Sequence, residues 1–188
     1  MNSEQLNLES LNRVSVVGTS CSGKTTFAKN LANILKTKHV QLDAINFLPG
    51  WIERPNEEFL DLVGKAVAED VWVFDGNYTR TREIVWGRAT MIVWLNYSFS
   101  RTFYRSLNRT VRRVFSREEL YSGNRESFQR AFMSRESMVF WVLKSYHEKR
   151  RRYMKLLLEH KPSRKEIFVF EHPKQAEEFL RQVRQTKT

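Results

Sequence analysis

A chain of 188 residues with a single cysteine, Cys21, cannot close an internal disulfide, which fits a reducing compartment. One cysteine and four scattered histidines also leave no zinc-ligand spacing. No apolar run approaches the roughly 18 residues of a membrane span, and residues 1–11 carry Glu4 and Glu9 where a secretory signal would be basic and then apolar. These absences predict a soluble, cytoplasmic protein with no membrane partner. Repeats, low-complexity tracts and long linkers are missing too, so a single domain is expected over 13–188, with 1–12 as a polar lead-in. Helix-turn-helix and aromatic RNA-binding signatures are likewise absent.

Positive charge is plentiful and unevenly placed. The net charge is +11, and residues 101–164 hold 17 Lys or Arg against 6 Asp or Glu, while the remainder holds 15 of each. A basic segment is thus grafted onto a neutral body. It should attract anions: nucleotides, phosphorylated substrates or, as a secondary partner, nucleic acid.

The stretch Gly18-Thr19-Ser20-Cys21-Ser22-Gly23-Lys24-Thr25 fits the phosphate-binding pattern G-x-x-x-x-G-K-[ST] without a mismatch. Its flanks agree. Arg13-Val14-Ser15-Val16-Val17 alternates and is rich in β-branched residues, as a strand is, and 26–36 carries Phe27, Leu31, Ile34 and Leu35 at helical spacing. In a strand–loop–helix setting the backbone N–H groups of Gly18 to Thr25, with Thr26 at the helix start, cradle a nucleotide's phosphates, helped by the positive end of the helix dipole. Lys24 would act as a point charge near the β- and γ-phosphates, and the Thr25 hydroxyl would be a Mg²⁺ ligand. ATP is expected by default, because no Asn-Lys-x-Asp guanine-recognition sequence occurs.

Beyond the loop, His39-Val40-Gln41-Leu42 reads as a second strand ended by Asp43. Val71 to Asp75, Met91 to Leu95 and Ile167 to Phe170 are near-continuous apolar runs of the kind buried on both faces. Five such strands separated by helical stretches predict an α/β fold: a parallel sheet with helices on both faces, binding ligands at the strands' carboxyl ends. Asn56 is a candidate cap for a helix whose apolar face is Phe59, Leu62, Val63, Ala66 and Val67. Ile45 to Trp51, with its Pro49-Gly50 turn, is more apolar than a solvent loop needs and could line a pocket. In the basic segment, Arg101, Arg105, Arg109 and Arg112, with Arg113, form one helical stripe; Phe103, Leu107, Val111 and Val114 form another, expected to pack on the body. After a break at Tyr121-Ser122-Gly123-Asn124, a long helix is expected over 126–159. Its Lys149-Arg150-Arg151-Arg152 run reads as a solvated face.

Phosphoryl transfer needs a held nucleotide, a metal and positive groups that follow the moving charge. Asp75, ending a buried strand, is a candidate Mg²⁺ ligand or else a turn cap. Asp43, at a neighbouring strand end, can accept a substrate hydroxyl's hydrogen bond and act as a base, cap a helix, or serve as a second metal carboxylate. Arg80, Arg82 and Arg88 lie between two strands near this site and are candidates, any one of them, for acceptor phosphate, or else surface arginines. Arg101, Arg105 and Arg109 are candidates for the nucleotide phosphates and the transferred group, since guanidinium groups suit bidentate phosphate binding. Cys21 occupies a variable loop position.

These elements together, Gly18 to Thr25, Leu42-Asp43 with Pro49-Gly50-Trp51, Asp75-Gly76-Asn77-Tyr78, Trp94-Leu95 before an arginine-rich helix, Asn124-Arg125-Glu126-Ser127-Phe128 and Glu177-Glu178-Phe179-Leu180, resemble the adenylate-kinase-like P-loop proteins called DNA topology modulation proteins. The resemblance implies a three-layer P-loop kinase sandwich, with an arginine-bearing lid at about 98–164 after the fourth strand. It implies ATP-dependent phosphorylation of a small acceptor such as a nucleoside or nucleotide, with Asp43, Trp51, Asn77, Tyr78 and Arg80 as substrate-side residues. The alternative reading of the chain is a nucleic-acid-binding regulator in which the phosphate loop works as an ATP-dependent switch and the basic segment contacts phosphates. Asn96 stands where family members usually have aspartate. Asp-Gly-Asn-Tyr replaces the Asp-Gly-Phe-Pro-Arg of adenylate kinases, which argues against AMP as acceptor.

Overall fold

Five short segments form five parallel strands in one sheet. The computed structural model describes residues 8–116, 121–124, 138–160 and 165–187, with side chains at 9–112, 121–124, 145–159 and 165–187. In chain order the elements are β1 (Arg13–Gly18), α1 (Lys24–Leu35), β2 (Lys38–Gln41), α2 (Leu42–Asn46), the hairpin strands β3 (Phe47–Leu48) and β4 (Ile52–Glu53), α3 (Asn56–Ala68), β5 (Trp72–Asp75), α4 (Arg82–Arg88), β6 (Met91–Leu95), α5 (Phe99–Ser116), α6 (Met138–His160), β7 (Glu166–Phe170) and α7 (Pro173–Thr186). The sheet order is β2-β5-β1-β6-β7. β1 is central, so the phosphate-binding loop leaves the middle of the sheet.

Strand side chains alternate between two cores, as a period of two requires. Val14, Val16, Val73, Met91, Val93 and Leu95 face one cluster, where α1 and α7 supply Phe27, Leu31, Phe179 and Val183. Val17, Trp72, Phe74, Ile92 and Trp94 face the other, with Phe59 and Val63 of α3, Trp86 of α4 and Tyr153 of α6. Because both faces are covered, β5 and β6 are buried along their whole length, which is why they read as unbroken apolar runs. Leu11, from the polar lead-in, is also a core residue.

Several local expectations change. Leu42 leaves the strand and opens α2, so Asp43 sits in a helix's first turn rather than directly at a strand end. The Pro49-Gly50 turn closes the hairpin β3–β4, with Phe47 opposite Glu53. Asn56 is the first helical residue of α3 and Pro55 the cap position, so the Asn56 side chain is available to accept from Arg80 instead.

The buried stripe of α5 is not the apolar one. Thr102, Ser106 and Thr110 are essentially fully buried, whereas Val111 is exposed. α5 lies against α6, where Phe99 meets Tyr146 edge-on at 5.3 Å. The arginines, one position from the buried hydroxyl residues at about 100° round α5, reach along its flank. The Arg113 and Val114 side chains, the start of the helix expected from 126, and the Arg125 to Phe128 match lie outside the described residues.

Candidate active site

Strand order decides what can meet at the loop. β2 and β5 end on one side of β1, and β6 and β7 on the other, so residues following those strands converge on the loop from both sides. The result is a cleft of about 1030 Å³. Ser20 to Thr26 form its floor. Asp43, Phe47, Trp51 and Glu53 line the β2 side, and Pro173, Ala176, Glu177 and Leu180 the β7 side, with Asp75 and Arg105 also on the walls.

The loop's backbone is closely packed. Gly18 has φ +153°, and a Cβ there would lie 2.7 Å from the Leu95 carbonyl oxygen and 2.8 Å from Ser22 Oγ, so only glycine fits. Across the loop Lys24 Nζ donates to the Thr19 carbonyl at 3.0 Å, and Arg105 Nη1 donates to the Ser22 carbonyl at 2.9 Å. Burial pushes the Lys24 ammonium below the ordinary lysine value, and Arg109 pushes the same way, while Asp75 and then Asp43 oppose it. Lys24 therefore stands within electrostatic reach of two carboxylates and a guanidinium. Asp75 is buried, with His39 Nε2 3.4 Å from its Oδ2.

The substrate-side residues divide. Trp51 lines the cleft, its ring edge-on to Phe47 at 5.4 Å. Asn77 instead holds the loop: its Oδ1 accepts from Gly18 N at 3.3 Å and its Nδ2 donates to the Gly18 carbonyl. Tyr78 Oη donates to Asp43 Oδ1 at 2.9 Å. Arg80 is held by Asn46, Asn56 and Glu53, and its guanidinium lies 4.4 Å from the Phe59 ring centroid. Asn77, Tyr78 and Arg80 do not line the cleft; Tyr78 and Arg80 bond Asp43 and Glu53, which do. Arg101, too, is outside the cleft lining, with Nη2 3.0 Å from His172 Nε2. Arg105, Arg109 and Arg112 do line it.

Three features were not visible in sequence. His39 reaches Asp75 because β2 pairs with β5, and nothing local signals that pairing. Lys149, expected on a solvated face, is half-buried. Tyr146 Oη donates to the Tyr97 carbonyl at 2.7 Å and Arg150 Nε to Asn96 Oδ1 at 3.0 Å, pinning α6 to the end of β6. Burial lowers the Lys149 pKa to about 8, with Lys24 adding to that effect and Asp43 opposing it, so Lys149 shares the field of the loop. Third, Asn124 straps the segment after α5 to the hairpin. Its Oδ1 accepts from Trp51 N at 2.8 Å, its Nδ2 donates to the Leu48 carbonyl at 2.9 Å, and Ser122 Oγ donates to the Phe47 carbonyl at 2.7 Å. Asn124→Ala leaves the Trp51 N–H without this acceptor and should destabilise the protein by about 2 kcal/mol, measured as a lowered urea midpoint at unchanged slope.

Mg²⁺ prefers oxygen donors and usually takes only one or two from protein, the rest coming from phosphate and water. The donor set fits. The Thr25 hydroxyl is exposed at the cleft floor and the Asp75 carboxylate is on its wall, while among the described residues no group of three or more His, Cys, Asp or Glu could hold a metal. No helix among the described residues is long and apolar enough to cross a membrane.

The fold is an α/β sandwich, a five-stranded parallel sheet with helices on both faces and the Gly18 to Thr25 loop after its central strand, and it is similar to the folds of two solved kinases. Shikimate kinase from Bacteroides thetaiotaomicron matches over 93% of this chain and 97% of its own, at 14% identity and a TM-score of 0.50. A gluconokinase from Sinorhizobium meliloti 1021 matches over 94% and 91%, at 15% identity and a TM-score of 0.50. No protein-family model matches the chain, and no curated protein matches it in sequence.

Proposed function

We propose that this protein is a Mg²⁺-ATP-dependent kinase that moves the γ-phosphoryl group onto a hydroxyl of a small acceptor, a nucleoside or nucleotide being the first to test, and that it belongs with the DNA topology modulation proteins. The observation that carries this reading is the placing of Lys24 within the field of both Asp75 and Asp43 in one cleft at the strand ends. A loop that only bound nucleotide would need no second carboxylate on the acceptor side.

In this reading the loop amides and Lys24 hold the donor phosphates, and Arg105, Arg109 and Lys149 follow the charge as the phosphoryl moves. Thr25 and Asp75 would hold Mg²⁺, which when bound neutralises phosphate charge. Asp43 takes the proton of the acceptor hydroxyl. Phe47 and Trp51 offer apolar surface to the acceptor. The cleft-facing arginines also favour a small phosphate ligand over duplex DNA, which would need them on an outward surface. The test is a thermal-shift and ADP-release screen with Mg²⁺-ATP against nucleosides, nucleotides and small hydroxylated metabolites. Acceptor-dependent ADP release supports the reading; nucleotide binding with no acceptor-dependent turnover anywhere in the panel counts against it.

A further inference from the structure

A continuous hydrogen-bond chain runs from Asp43 on the cleft wall through the buried Asn46 to the half-buried Arg80. Arg80 Nη2 donates to Asn46 Oδ1 at 2.5 Å, Asn46 Nδ2 donates to Tyr78 Oη at 3.3 Å, and Tyr78 Oη donates to Asp43 Oδ1 at 2.9 Å. Only one polarity satisfies it. A guanidinium can only donate, so the Asn46 carbonyl must face Arg80 and its NH₂ must face Tyr78. The phenol oxygen then receives from Asn46, and its own hydrogen is left for Asp43.

The chain is anchored at its Arg80 end. Asn46 is fully buried, and Arg80 is held by Asn56 Oδ1 at 3.3 Å and Glu53 Oε2 at 3.4 Å while lying over the fully buried Phe59 ring. The Tyr78 ring meets the same phenylalanine edge-on at 5.2 Å. Gly76, with φ +151°, makes the turn that delivers Tyr78, and a Cβ there would lie 2.6 Å from Leu42 Cβ. Burial, reinforced by Asp43, pushes the Tyr78 phenol well above its ordinary value, so it remains a donor throughout the working range of pH.

We infer that Tyr78 is a positioning residue for Asp43: through Asn46 and Arg80 it fixes the carboxylate's rotamer by binding Oδ1 and leaves Oδ2 for the acceptor hydroxyl. This rests on Asp43 being the proton acceptor of the transfer. In that step the acceptor oxygen forms a bond to the γ-phosphorus as the bond from that phosphorus to the β–γ bridging oxygen breaks. The hydroxyl proton passes to Asp43 Oδ2, and Tyr78 keeps its own. Arg80, consumed as the anchor, is not the group that binds the acceptor, which reassigns the arginine expected from sequence to hold an acceptor phosphate.

The test is a double-mutant cycle on Tyr78→Phe and Asp43→Ala, read without any identified acceptor: as ADP release from Mg²⁺-ATP with water as the acceptor, and as thermal unfolding. Asp43→Ala should lower kcat about 100-fold. Tyr78→Phe should lower it about tenfold with KM for ATP unchanged, and should cost nothing further in the Asp43→Ala background. Tyr78→Phe also leaves the Asn46 amide without its acceptor in both backgrounds, so it should lower the melting temperature in each, and by more in the parent, while single-turnover conditions with enzyme in excess keep the hydrolysis arm, which decides, within detection. An equal loss from Tyr78→Phe in both backgrounds would make the phenol merely structural and overturn the inference. An Asp43→Ala enzyme at the wild-type rate would also overturn it, and Lys24→Ala assayed in parallel shows whether the kinase reading has failed with it.

Discussion

Replacing Lys24 by alanine should lower phosphoryl transfer at saturating Mg²⁺-ATP by about 1,000-fold or more while leaving the fold intact. The expectation follows from where the ammonium sits. It bonds the loop's own Thr19 carbonyl, lies within the fields of Asp75 and Asp43, and is depressed by burial. Such a cation gains most when phosphate charge arrives, so its contribution falls on the transfer step more than on nucleotide binding. The variant loses one side-chain hydrogen bond at a part-exposed position, so its melting temperature should stay near that of the parent. Kinetics at saturating ATP, paired with a thermal melt, checks both halves of the statement.

Replacing Lys149 by methionine should cost about 100-fold in transfer, and the pH dependence identifies the cause. With its pKa lowered to about 8, Lys149 is charged below that pH and neutral above it. ATP affinity of the parent should therefore fall as pH rises through about 8, and the methionine variant should lose that part of the fall. Arginine, which stays charged, should restore much of the activity and move the alkaline limb to higher pH. The effect on folding has the opposite sign. Between about pH 8 and the ordinary lysine value of 10.5 the unfolded chain binds more protons at this residue than the folded one. Nucleotide-free stability should thus rise over that window relative to Lys149→Met. Thermal melts at both ends of the window, without nucleotide, measure it. A limb unmoved by arginine would exclude Lys149 from the site.

What could be read from the sequence was whatever is written locally. The loop announces itself through glycines and Lys-Thr at fixed spacing, and β5 and β6 through runs that only a doubly covered strand carries. What escaped depends on which elements become neighbours. His39 beside Asp75 follows from strand order, which no local pattern encodes. The buried stripe of α5 is Thr102, Ser106 and Thr110, residues whose polarity hides their burial. Lys149 reads as one cation in a basic run, and only the anchoring of Tyr146 and Arg150 on the end of β6 brings it within electrostatic reach of Lys24 and Asp43. Asn77 and Arg80 were expected on the substrate side from the resemblance; after the turn at Gly76, Asn77 instead bonds Gly18, and Arg80 packs on Phe59 and bonds Asn46 and Glu53.

In the proposed transfer, Asn124 would make the two halves of the cleft work together. The strap joins residues 121–124, between α5 and α6, to the hairpin that carries Trp51 and Glu53. Movement of one should carry the other, so donor and acceptor binding are expected to reinforce each other, and Asn124→Ala should weaken that reinforcement as well as stability.

The central claim is transfer itself, and the most direct measurement follows the γ-phosphorus of labelled Mg²⁺-ATP in the presence of a panel of nucleosides, nucleotides and small hydroxylated metabolites. The account predicts that label appears on an acceptor hydroxyl, that this requires Mg²⁺, and that Lys24→Ala abolishes it. Nucleotide that binds tightly while its label reaches no member of the panel, or transfer that persists in Lys24→Ala at saturating ATP, would contradict it.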